Sequence, residues 1–126
     1  MKAKILIALS DVNLANSIMN RLTSHGYLSE FVSSGNDIIH ELKKINPSLL
    51  LIDIKLKDKS GYEVLCEKSL DREVTKIPVI IISNSGDPVR MKEIPSTPSI
   101  KDYMITLHID IEVLVKKVDK ILNNLA

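Results

Sequence analysis

The chain has 126 residues, 44% apolar and 26% charged, which is enough for one domain with its own core and too apolar for a disordered chain. A formal charge of +1, aromatics at 3% and no tryptophan give nucleic acid or an anionic membrane no electrostatic or stacking purchase. The single cysteine, Cys66, excludes an internal disulfide and a multi-thiolate metal site and reads as a small core residue.

The elements follow in chain order. "KILIAL", Lys4 to Leu9, is an unbroken apolar run, as expected of a strand covered on both faces. The run is too short for a signal-peptide core, and no apolar stretch approaches the roughly 18 residues of a membrane span, so the expectation is a cytoplasmic chain with no membrane partner. Asp11 is placed to cap a helix carrying Leu14, Ile18 and Leu22, which Gly26 ends. "YLSEFV" is a second strand. "SSGND" is a turn and cap, and Ile38, Ile39, Leu42 and Ile45 mark a second helix stopped by Asn46 and Pro47.

"LLLIDI", Leu49 to Ile54, is a third strand that closes on a carboxylate, Asp53. The loop "KLKDKSG" leads into a third helix whose Val64, Leu65 and Leu70 are expected to face inward. "IPVIIIS", Ile77 to Ser83, is a fourth strand. "SNSGDP" then breaks the chain without the Gly-Lys-Ser/Thr of a P-loop. Pro95 and Pro98 forbid one regular helix before "DYMIT", a fifth strand. Asp110 caps a last helix in which Val113, Leu114, Val118, Ile121, Leu122 and Leu125 recur at helical spacing.

Five strands alternating with helices predict a doubly wound α/β fold, a parallel sheet with helices on both faces and a short or irregular fourth helix. No repeat, low-complexity tract or linker divides residues 1–126, so one domain is expected. In such sheets, sites form beyond the carboxyl ends of the strands. Those ends are Leu9 and Ser10, Asp53 to Lys55, Ser83 and Asn84, and Thr106.

With these residues in order, the chain resembles the receiver domain of two-component response regulators along nearly its whole length. "KILIALSD" resembles the family's first strand and "PSLLLIDIKLKDKSGYEVL" its central strand, with Asp53 at the phospho-acceptor position and Gly61 after it. "IPVIIIS" places Ser83 at the Ser/Thr switch position, and "KDYMIT" places Tyr103 at the aromatic one. The resemblance implies strand order 2-1-3-4-5, a role in phosphorelay signalling rather than catalysis of its own, and a protein partner: a histidine kinase or a downstream signalling protein. It also implies a candidate homodimer face on the fifth strand and last helix, including Lys117 and Lys120.

The family's chemistry needs an acid pair and the acceptor Asp to hold Mg²⁺, helped by a backbone carbonyl two residues on, and a lysine to offset the phosphoryl charge. Here the acid pair falls on Leu9 and Ser10, the carbonyl on Lys55 and the lysine on Thr106. The nearest substitute acid is Asp11, which also suits a helix cap. The expectation is a degenerate receiver that acts by protein contact, with weak or absent phosphorylation and no cofactor. Two alternatives stay open: a conventional Mg²⁺-dependent receiver using Asp53, Lys55 and Asp11, and a small-ligand-binding pseudo-receiver. Aspartyl-phosphate hydrolases resembling haloacid dehalogenases need a second acid where Lys55 stands. His25, His40 and His108 show no metal spacing, although His108 falls just past the fifth strand.

Overall fold

The computed structural model describes residues 3–83, 89–95, 97–105 and 110–124. Five parallel strands, β1 (Lys4–Ala8), β2 (Leu28–Val32), β3 (Leu49–Asp53), β4 (Val79–Ser83) and β5 (Ile100–Ile105), lie in the order β2-β1-β3-β4-β5. Helices α1 (Val12–Ser24), α2 (Gly35–Ile45), α3 (Gly61–Leu70) and α4 (Ile111–Asn124) alternate with them. Between β4 and β5 the described residues hold only a 3₁₀ turn, Met91–Glu93, in keeping with the two prolines that follow.

Strand alternation divides the core into two layers. Leu6, Ala8, Leu50, Ile52, Val79 and Ile81 meet Ile38, Leu42, Val64 and Leu65 of α2 and α3. Ile5, Ile7, Leu49, Leu51, Ile80 and Ile82 meet Ala15, Ile18 and Leu22 of α1 and Leu114, Val115 and Val118 of α4. All five residues of β3 and all five of β4 are buried, which is why both read as unbroken apolar runs with a polar residue only at the carboxyl end.

Local signals set the boundaries. The Asp11 side chain accepts the Leu14 N–H at 3.0 Å, and Ser60 Oγ accepts that of Glu63 at 3.2 Å. Asp110 Oδ1 accepts from Glu112 N at 3.0 Å. Gly26, at φ +88°, and Asn46, at φ 49°, take the left-handed turns that end α1 and α2. β4 starts at Val79 rather than Ile77, after Pro78, whose carbonyl accepts from Leu50 N at 2.9 Å.

Three expected core residues face solvent instead. Leu70 is 87% exposed and Val113 42% exposed, and Cys66 is exposed as well. Helical spacing identified the apolar residues but not the phase of each helix. The inner face of α3 is Gly61, Tyr62, Val64, Leu65 and Lys68, so Cys66 and Leu70 turn outward. On α4 the inward stripe runs through Leu114, Val115 and Val118, which leaves Val113 outside it.

Candidate functional site

The sheet delivers its polar strand ends to one edge. Asp53 ends β3 between β1 and β4, opposite Ile82 and only 6% exposed. Its Oδ1 accepts the Lys55 N–H at 3.0 Å. Burial pushes its carboxyl above the usual range, while hydrogen bonds from the Lys55 and Ile54 backbone pull the other way.

Leu9 is fully buried and joins the core layer under α1, so the position expected to hold the first acid of the pair carries an apolar side chain turned into the protein. Ser10 reaches across the edge, and its hydroxyl donates to the Lys55 carbonyl at 3.3 Å. The Asp11 carboxylate is committed to the α1 cap. Ser83 is buried at the end of β4, one residue past Ile82. Tyr103 pairs with Ile81 and is 45% exposed. The structure therefore brings Ser10, Asp53, Lys55 and Ser83 to one edge and leaves Tyr103 on the surface of β5. Thr106, Asn84 and His108 lie outside the described residues. His40 is exposed, and His25 Nδ1 lies 3.6 Å from Asp119.

The loop after Asp53 is tied down by a carboxylate that carried no local signal. Asp58 accepts from Ser34 Oγ at 2.5 Å, Gly35 N at 2.7 Å and Asn36 N at 3.1 Å, capping α2 from 22 or more residues away. Ser34 occupies the cap position but supplies no cap bond itself. These donors hold the Asp58 carboxyl at a pKa of about 2. Gly61 lets α3 approach the strand end, because a Cβ there would lie 2.5 Å from the Asp53 carbonyl oxygen. Of the loop lysines, Lys55 and Lys57 are exposed, and Lys59 pairs with Glu67 at 2.8 Å.

A family profile for the response regulator receiver domain matches residues 5–119. This chain belongs to the response regulator receiver domain family. Response regulator RR06 of Streptococcus pneumoniae is 26% identical over 114 residues, covering 90% of this chain and 50% of that protein. Protein PilH of Pseudomonas aeruginosa is 26% identical over 120 residues, 95% of this chain and 98% of PilH. This receiver thus spans about half the length of RR06 and nearly all of PilH. The chemotaxis response regulator CheY4 of Vibrio cholerae shares the fold at a TM-score of 0.81 and 15% identity, covering 95% of this chain and 98% of its own. A CheY-like receiver domain of Methylobacillus flagellatus does so at 0.77 and 19%, covering 96% and 99%.

Receiver domains typically bind Mg²⁺ for phosphorylation, and the residues of this receiver do not fit that ion. Mg²⁺ wants near-octahedral oxygen donors and gives up water reluctantly. Here one of the expected acid positions is buried leucine and the other is a serine bonded to the Lys55 carbonyl, the expected backbone ligand. The neighbouring carboxylate, Asp11, caps a helix. Among the described residues no three acidic, histidine or cysteine side chains gather where they could hold a metal. No described helix is long and apolar enough to cross a membrane.

Proposed function

We propose that this receiver signals through contact with another protein, with Asp53 phosphorylated weakly or not at all. The observation that carries the reading is the Ser10 hydroxyl on the Lys55 carbonyl. It puts a neutral donor where the chemistry calls for a second anion and gives the carbonyl an internal partner. Phosphoryl transfer would load anionic oxygens beside an acceptor that is already desolvated, and the described edge offers no acid pair for a compensating cation.

The partner is a histidine kinase or a downstream signalling protein, and the face we favour is β5 with α4. Lys117 is half-buried and bonded to Asp102 at 2.7 Å, so the exposed Lys120 is the cleaner probe of that face. A second reading, binding of a small ligand, is favoured by a cavity of about 830 Å³ beside the β3–α3 loop, with Ile54, Leu56, Tyr62 and Arg90 among its walls.

Amide spectra during a Mg²⁺ titration test the main reading. Millimolar Mg²⁺ is expected to leave the amides of Ser10, Asp53 and Lys55 unmoved. Saturable shifts confined to those amides would contradict it.

A further inference from the structure

At the opposite edge of the sheet, α3 buries a cation the receiver chemistry does not use. Lys68 is 2% exposed and lies on the core face of its helix. Its ammonium donates to the Thr75 carbonyl at 3.0 Å and to Ser99 Oγ at 3.5 Å, and no carboxylate pairs with it among the described residues. A buried cation ordinarily has an anion beside it, because hydrogen bonds to neutral groups offset only part of the desolvation cost. Burial accordingly lowers the Lys68 pKa to about 8.

The two groups that Lys68 touches line a cavity of about 410 Å³ with Lys76, Pro78, Thr97 and Lys101. No carboxylate lines it among the described residues, whereas Lys76 and Lys101 are exposed cations at its walls. Lys68 can only donate, so Ser99 Oγ accepts from it. Thr97 Oγ1 lies 2.8 Å from Ser99 Oγ in a hydrogen bond that either hydroxyl can donate, which links Lys68 through Ser99 to a hydroxyl at the cavity wall.

We propose that this cavity, at the amino-terminal ends of β4 and β5, binds a small oxyanion of the phosphate class, either the free ion or a phosphate ester. Lys76 and Lys101 supply the contact charge, Thr97 supplies a hydrogen bond, and Lys68 holds Ser99 beside it and adds its field from below. Such a site would let a phosphorylated small molecule tie the α3–β4 turn to β5, away from the Asp53 edge.

The test is an amide-shift titration with inorganic phosphate and, separately, glycerol 3-phosphate, at constant ionic strength with chloride as control. Saturable shifts are expected at Thr75, Lys76, Thr97, Ser99 and Lys101 and not at Asp53; the tighter ligand identifies ion or ester as the source. Lys101→Glu and Thr97→Val, both at accessible positions, are each expected to weaken binding by about tenfold, a fold-change typical of one charge-assisted contact. Lys68→Met is expected to weaken it while leaving the Asp53 edge unmoved. Shifts that fail to saturate, or that persist unchanged in Lys101→Glu and Thr97→Val, would overturn the proposal. So would Lys68→Met protein that folds and binds phosphate like the parent.

Discussion

Replacing Lys68 by Met tests how the core tolerates the one buried cation among the described residues. The lysine pKa falls from 10.5 to about 8, and that gap corresponds to about 3 kcal/mol of destabilisation of the charged ammonium in the folded state relative to the unfolded chain. The sign follows from proton counting. Between about pH 8 and pH 10.5 the unfolded chain still holds the Lys68 proton and the folded chain has released it, so stability rises with pH across that window. Below pH 8 both states are charged and the full destabilisation applies. Urea unfolding of parent and Lys68→Met, compared at steps from pH 7 to 10.5, isolates this group, because the other titrating side chains are common to both proteins. The parent is expected to gain about 3 kcal/mol relative to the variant across the range, an order-of-magnitude figure. A difference that stays flat from pH 7.5 to 10.5 would refute the placement of Lys68 in a dry, carboxylate-free core.

Other perturbations address the edge that carries Asp53. Gly61→Ala would force a Cβ to 2.5 Å from the Asp53 carbonyl oxygen and 2.8 Å from Ile54 Cα, both backbone atoms that cannot swing aside, and is expected to cost about 1–3 kcal/mol by denaturant unfolding. Asp58→Ala should loosen the start of α2, seen as faster amide exchange at Gly35 and Asn36. The Asp58 carboxyl lies below its ordinary 3.8, at about 2, so its contribution is present above pH 4 and lost as the pH falls toward 2. The gap in stability between parent and Asp58→Ala should close over that interval; a gap unchanged at pH 2 would refute the cap. Ser10→Ala removes the partner of the Lys55 carbonyl and is expected to cost at most about 1 kcal/mol. Its signature should be a shift of the Lys55 and Leu56 amides with the rest of the sheet unmoved.

Much of the fold was legible because the buried strands are short apolar runs and the helices repeat at their own period. The strand order came with the family resemblance, and the structure bears it out. What went astray was helix phase. On α3 the inward position after Leu65 is Lys68, a residue that composition assigns to solvent. The apolar Leu70 suits a core position by composition, yet it is exposed, while Val74 and Ile77 of the following turn join the core layer. At the candidate site Asp53 could be picked out by its place at the end of an apolar strand. The Ser10 to Lys55 contact could not, because a serine gives no hint of a partner 45 residues away. Asp58 carries no signal for the same reason: it lies in a loop rich in lysine, whereas its three donors all come from the start of α2.

We propose that Asp53 occupies the acceptor position of this receiver without the supporting groups that favour transfer. Intact-mass spectrometry after incubation with Mg²⁺ and a small phosphodonor addresses it directly, with Asp53→Asn as the control. The parent and Asp53→Asn spectra are expected to match, with at most a trace of an acid-labile phosphoryl adduct. A stoichiometric adduct on the parent, absent from Asp53→Asn, would contradict it.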